Sequence, residues 1–130
     1  MISVSTKTVL TTRDLLILQA MLECRRDGGD PILPQLRQKI DAADLVFAHD
    51  LPATIATVNS RVSYTLDAGP AQTRVLAAEG VTHPDGMHLS IATPCGLALL
   101  GMAEGDAVDI TTRQGETRRL CLERVLYQRR

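Results

Sequence analysis

Residues 88–110, HLSIATPCGLALLGMAEGDAVDI, constrain the fold more tightly than any other stretch, because each junction in them carries its own start or stop signal. Leu89 and Ile91 alternate with Ser90 and Ala92, the period of a half-buried strand. Thr93 offers a side-chain oxygen as an N-cap. Pro94 follows at the first helical position, where the missing N–H would have had no intrahelical partner. Leu97 and Leu100 lie three apart on one helical face, and Gly101 supplies the stop. Glu104, Gly105 and Asp106 turn the chain, and Val108 and Ile110 begin a second strand. A helix of two turns is not stable alone. It must be clamped on a sheet, so the stretch predicts the hub of an α+β domain.

The flanking segments supply the rest of the sheet and a helical appendage. Residues 1–10 alternate Val, Ser, Thr and Lys, as a strand or a loose arm would. Thr11-x-x-Asp14 resembles a capping box with Asp in place of Glu, followed by a helix over 14–26 whose Leu15, Leu18 and Leu22 form a stripe. Arg25 and Arg26 suit the negative end of its dipole. Asp27-Gly28-Gly29-Asp30 breaks the helix, and Asp30 is placed to cap a second one with Pro31 at its first position. Leu33, Leu36, Ile40 and Ala43 then repeat at coiled-coil spacing. The pattern predicts a short antiparallel helical hairpin. With about 13 residues in each helix, its arm is roughly 20 Å long.

Leu51-Pro52 reads as the boundary between this hairpin (residues 1–50) and a sheet domain (residues 51–130), since proline disfavours helix in the residue before it. Strands are expected over 55–66, 72–78, 108–112 and 120–127, with turns at 67–70, 83–86 and Gln114-Gly115. Leu120 and Leu122 share a face, whereas Val125 and Tyr127 shift the phase, so a bulge is expected near Glu123-Arg124. About five strands and one short helix result.

Two of these motifs carry a family resemblance. PCGLALLGMAEGDAVDI resembles the Pro-x-Gly-x-Ala-Leu-Leu-Gly-x-x-x-Gly-Asp signature of the C-terminal domain of the GreA/GreB transcript-cleavage factors. Upstream, Val58-Asn59-Ser60-Arg61-Val62 resembles the matching motif of the short-armed branch, the regulators of nucleoside diphosphate kinase. The likeness covers roughly residues 51–127 and implies a sheet domain similar to that of FK506-binding proteins. It also implies a bacterial, cytoplasmic protein that binds RNA polymerase at the rim of the secondary channel. The family's cleavage factors reach down that channel with an arm several times longer and set acidic tip residues beside the catalytic magnesium. An arm this short implies occupancy without cleavage, in competition with the longer factors.

The residues expected to meet the polymerase are Ala103, Glu104, Gly105 and Asp106 of the hub loop, with Asn59, Ser60 and Arg61 beside them. The plainer account makes Gly105 and Asp106 a turn, and makes Asn59 a partner of backbone groups. Asp27 and Asp30 at the hairpin tip are hard-oxygen ligand types, and equally a loop aspartate and an N-cap aspartate. Two alternatives remain open: a factor that assists cleavage through those tip residues, and a regulator acting on the nucleoside diphosphate kinase pathway.

Composition narrows the chemistry. One Phe, two Tyr and no Trp make the core aliphatic and leave nothing to wall the ring-lined pocket of a prolyl isomerase, so the fold resemblance does not carry that activity. The net charge of -1 gives no global attraction to nucleic acid, and no sequence-specific contact with it is expected. Between 111 and 130 six arginines stand against two glutamates, a pattern that suits a solvated strand face. Cys24, Cys95 and Cys121 are odd in number and widely spaced, which fits a reducing compartment. Cys95, near a helix N-terminus, is either a reactive thiol or a buried apolar one. His49, His83 and His88 match no metal spacing, and Ser60, His88 and Asp106 lack the elbow of a catalytic triad. No phosphate-binding glycine loop and no apolar run of about 18 residues occur, so neither a cofactor nor a membrane span is expected.

Overall fold

The computed structural model describes residues 8–25, 31–82, 84, 86–112 and 114–128. Asp27, Asp30 and His83 lie outside them. The chain runs β1 (Thr8–Thr11), α1 (Thr12–Glu23), α2 (Leu33–Ala42), β2 (Ala43–Val46), a 3-10 turn (Ala48–Asp50), β3 (Arg61–Leu66), β4 (Gln72–Ala77), β5 (His88–Ser90), α3 (Pro94–Leu99), β6 (Ala107–Thr111) and β7 (Thr117–Tyr127). A five-stranded sheet has the order β5-β4-β3-β7-β6 and is antiparallel except where β5 lies parallel to β4. The fold is the α+β class expected, with a helical pair before a mostly antiparallel sheet.

The hub forms as its signals dictate. The Thr93 side chain accepts from the Gly96 N–H at 3.1 Å, Pro94 opens α3, and the Thr93 hydroxyl donates to the Ser90 carbonyl at 2.7 Å. Gly96 is the point of closest approach. A Cβ there would stand 2.1 Å from the Ser90 carbonyl oxygen, so only glycine lets α3 sit this close to β5. Gly101 allows a second close approach, to Val9 and Leu10 of β1. The bulge in β7 also appears. Ser63 faces Arg124 while Tyr64 faces Leu122, leaving Glu123 as the extra residue, and a second slip skips Leu126.

Several expectations need correction. β1 and β2 pair in parallel, Thr8 with Ala43 through Thr11 with Val46, as a second small sheet. The helix α2 begins at Leu33 with Ile32 as its cap and Pro34 in its first turn, so Pro31 precedes the helix. Ala43 has left the helix for β2. The predicted strand over 55–66 is a true strand only from Arg61. Ile55 makes a lone bridge to Ala103, and the segment between is a loop buried except at Asn59. Thr11 does cap α1, accepting from the Asp14 N–H at 3.3 Å, but the Asp14 carboxylate turns to the sheet domain.

That turn makes one of the polar ties between the helical pair and the sheet domain. Asp14 is fully buried, and its Oδ2 accepts from the Val58 N–H at 3.2 Å. Arg13 donates to the Val58 carbonyl at 3.0 Å and to Asp14 at 3.2 Å. One adjacent pair of side chains therefore satisfies both backbone groups of Val58. Across the other helix, Lys39 Nζ donates to the carbonyls of Ala98 at 3.0 Å and Leu100 at 2.7 Å, the otherwise unpaired end of α3. Gln35 donates to the Pro94 carbonyl at 2.9 Å. Between these ties lies one aliphatic core, in which Leu10, Leu18 and Leu36 from the helical side meet Val62, Leu97, Leu99 and Leu120.

Burial acts on both charged ties. It raises the Asp14 pKa above 3.8, against the lowering effects of the Val58 N–H and Arg13, and lowers that of Lys39 from 10.5 to about 7.

Two predictions follow from these contacts. In Gly96→Ala the helical preference of alanine, worth about 1 kcal/mol, is overridden because the Ser90 carbonyl is backbone and cannot swing away. A net loss of about 2 kcal/mol is expected from the urea midpoint. For Lys39, the unfolded chain holds a proton between pH 7 and 10.5 that the folded chain has released, so stability rises with pH across that window. Lys39→Met removes that rise. The Asp14 contribution has the opposite sign, complete below 3.8 and lost as pH climbs through the raised value, and Asp14→Asn removes it. Denaturant midpoints across pH for the three chains check both slopes.

Candidate functional site

The hub loop after α3 is built by backbone pairing on both sides. Ala103 bridges Ile55, and the Glu104 N–H donates to the Thr54 carbonyl at 2.9 Å. Gly105, at φ +88°, makes the turn, and its N–H donates to the Leu122 carbonyl at 2.8 Å. Asp106 closes it, donating from its N–H to the Ala103 carbonyl at 3.1 Å and accepting from the Leu122 N–H at 3.0 Å. The Glu104 side chain also has a structural task. Its Oε2 accepts from the Val125 N–H at 2.7 Å, close to the bulge where β7 slips register.

The second predicted cluster divides. Asn59 is exposed, takes a left-handed φ of 74°, and donates its N–H to the Leu76 carbonyl at 2.7 Å. Ser60 is fully buried, and its Oγ accepts from the Thr57 N–H at 2.9 Å and lies 2.7 Å from the Thr57 hydroxyl. Ser60 therefore cannot touch a partner. It holds the loop that presents Asn59, and this burial also removes it from any catalytic arrangement. Arg61 is exposed at the start of β3, opposite Tyr127.

The end of β7 brings the two clusters together. Leu122 and Val125 hold the hub loop, Tyr127 faces Arg61, and Gln128 donates to the carbonyls of Pro52 at 2.7 Å and Ile55 at 2.8 Å. Asn59, Arg61, Glu104, Gly105 and the ring of Tyr127, which is 57% exposed, are the exposed residues of these segments. Sequence reasoning missed Tyr127 as a surface group. The phase shift in β7 was the available signal, because a bulge re-aims the residues that follow it.

The remaining candidates resolve into structural roles. Burial raises the pKa of the half-buried Cys95, against a smaller lowering by Arg118, so its thiol is protonated rather than activated. Cys121 is raised too, by burial and by Glu123. Tyr64, the buried aromatic, is raised chiefly by burial. Arg118 pairs with Asp67 at 3.4 Å and Glu116 at 3.4 Å, and Arg119 with Asp109 at 3.3 Å, so part of the basic stretch is neutralised in place. Among the described residues no group of His, Cys, Asp and Glu could hold a metal ion, and no helix is long and apolar enough to cross a membrane.

No family model matches the chain. It is 30% identical over 92 residues to the regulator of nucleoside diphosphate kinase of Escherichia coli K12, spanning 70% of this chain and 68% of that one. The Shigella flexneri protein of that name gives the same figures. Among solved structures, the prokaryotic transcription elongation factor GreA/GreB from Nitrosomonas europaea superposes with a TM-score of 0.72 at 26% identity, covering 93% of this chain and 100% of that one. Conformation and sequence therefore agree, and the chain belongs to the family of the regulators of nucleoside diphosphate kinase, with the fold of the GreA/GreB factors.

Proposed function

We propose that this protein is a transcription regulator that docks on RNA polymerase at the rim of the secondary channel and occupies that place without stimulating transcript cleavage. Residues 51–130 form the docking body and residues 1–50 the arm. The hub loop, Asn59 and Arg61, with Tyr127 between them, form the docking surface. A standard protein interface buries about 800 Å² per partner, an area that such a loop-and-strand-end surface can supply with its neighbours.

The observation that carries the reading is the length of the arm. The helices α1 and α2 have 12 and 10 residues. At ~1.5 Å per residue they extend only about 18 Å and 15 Å. Their inner faces are committed to the core through Leu18 and Leu36. The chemistry of a distant metal centre is then out of reach, and blocking is what remains. The reading in which Asp27 and Asp30 assist cleavage needs a reach that helices of this length lack.

Competition tests the proposal. The purified chain is expected to be retained on core RNA polymerase and to be displaced by a long-armed cleavage factor. In arrested elongation complexes it is expected to inhibit factor-stimulated cleavage while yielding none itself, and Asp27→Ala with Asp30→Ala is expected to change nothing. Retention that the long-armed factor leaves undiminished would rule out a shared docking place. Cleavage lost in the double variant would restore the acidic-tip reading. A chain that ignores polymerase but changes nucleoside diphosphate kinase activity would favour direct action on that enzyme.

A further inference from the structure

The pairing of β6 with β7 stops at Cys121, opposite Ala107, and the outer edge of β7 beyond it is held in another way. At Leu122 the hub-loop backbone takes over. Gly105 donates to the Leu122 carbonyl at 2.8 Å, and Leu122 donates to the Asp106 carbonyl at 3.0 Å. On an unbroken strand the next N–H on this side would belong to the residue two further on. The extra residue at Glu123 delays it by one place, to Val125. There a side chain meets it, the Glu104 carboxylate at 2.7 Å. Gln128 continues the series, donating to the carbonyls of Pro52 and Ile55 at 2.7 Å and 2.8 Å.

The inner edge of the same stretch is the weaker one. Its pairing with β3 slips twice, between Arg61 and Val62 and between Ser63 and Tyr64. A slip leaves a residue unpaired and bends the strand. Val125 and Tyr127 lie inside that interrupted ladder, and so does Arg61 opposite Tyr127. Where this strand end points therefore depends on what grips its outer edge. A carboxylate accepting from a backbone N–H makes a short, strong hydrogen bond, and 2.7 Å lies in that range. Glu104 stands in an exposed loop where a charged side chain suits contact with a partner, yet one of its oxygens turns back onto its own sheet.

We propose that Glu104 is a positioning residue of the docking surface. By accepting from Val125 it ties the hub loop to the strand end that carries Tyr127 and faces Arg61, so that the two parts are presented as one preformed surface. A surface already ordered before association binds more tightly because less freedom is lost on binding. This role rests on the reading that the surface docks on RNA polymerase, and it assigns Glu104 an effect through β7 rather than through its charge on the partner.

The test measures binding of the full chain, Glu104→Gln and Glu104→Ala to immobilised core RNA polymerase, together with hydrogen exchange at the Val125 amide. Glutamine keeps an oxygen acceptor and loses the charge, whereas alanine loses both. Glu104→Ala is expected to bind roughly fivefold more weakly, with faster exchange at Val125 and unchanged exchange in α3 and β6. Glu104→Gln is expected to stay within about twofold of the wild type, with Val125 still protected. In either variant weak binding is expected only together with fast Val125 exchange. Weak binding by Glu104→Gln with Val125 still protected would make the carboxylate a charged contact with polymerase and overturn the positioning role. Equal binding by all three chains would overturn it too, and leave the polymerase reading standing. If the wild type is not retained, the polymerase reading falls and the positioning role falls with it.

Discussion

The missing side chain at Gly96 sets the spacing on which most of the molecule depends. Because α3 can press its backbone onto the Ser90 carbonyl, residues 98–102 lie within reach of three other segments. Lys39 caps the carbonyls of Ala98 and Leu100, and the Val9 N–H donates to the Gly101 carbonyl. Ala56 both accepts from the Gly101 N–H and donates to the Met102 carbonyl. A close-packed interior transmits displacement rather than absorbing it. A helix standing off by one methyl group would pull β1, α2 and the loop before β3 out of register together.

The helical pair is joined to this centre by both apolar and polar contacts, and the two do different work. Leu18, Met21 and Leu36 remove apolar surface from water, a contribution with little directional preference. Arg13 and Asp14 on one helix, and Lys39 on the other, grip named backbone groups, and so fix how the pair lies on the sheet. The Arg25–Glu79 ion pair adds a contact near the far end of the pair. As a partly exposed surface pair it contributes little to stability.

The sequence could be read wherever a structural event has a local cause. The Thr93 cap, the proline after it, the stop at Gly101 and the turn at Gly105 are all settled within a few residues, and each stands where it was expected. The β7 slip was legible because an extra residue breaks the two-residue alternation. Long-range pairing was not. Thr8–Thr11 meets Ala43–Val46 across two helices, and neither tetrapeptide carries a sign of the other. Asp14 looked like a local cap because its true acceptor task lies 44 residues away at Val58. Ser60 looked like a surface polar group because a serine that satisfies a buried loop has the same letter as one in water. The turn of the hub loop was therefore foreseen, whereas the exposure of Tyr127 needed the register of β7.

The parallel pairing of β1 with β2 bears on how this architecture can be lengthened. Both strands run without a loop into their helices, Thr11 to Thr12 and Ala42 to Ala43, so the points where the chain enters and leaves the helical excursion are fixed at opposite ends of one parallel pair, Thr11 opposite Val46 and Ala43 opposite Thr8. Whatever is spliced in between the two helices leaves those two points where they are. Two extra turns on each helix would extend the excursion by about 11 Å while keeping its apolar stripe on the same side. Stubby and elongated versions of one scaffold can thus arise by paired insertions alone, with the sheet unaltered beneath them.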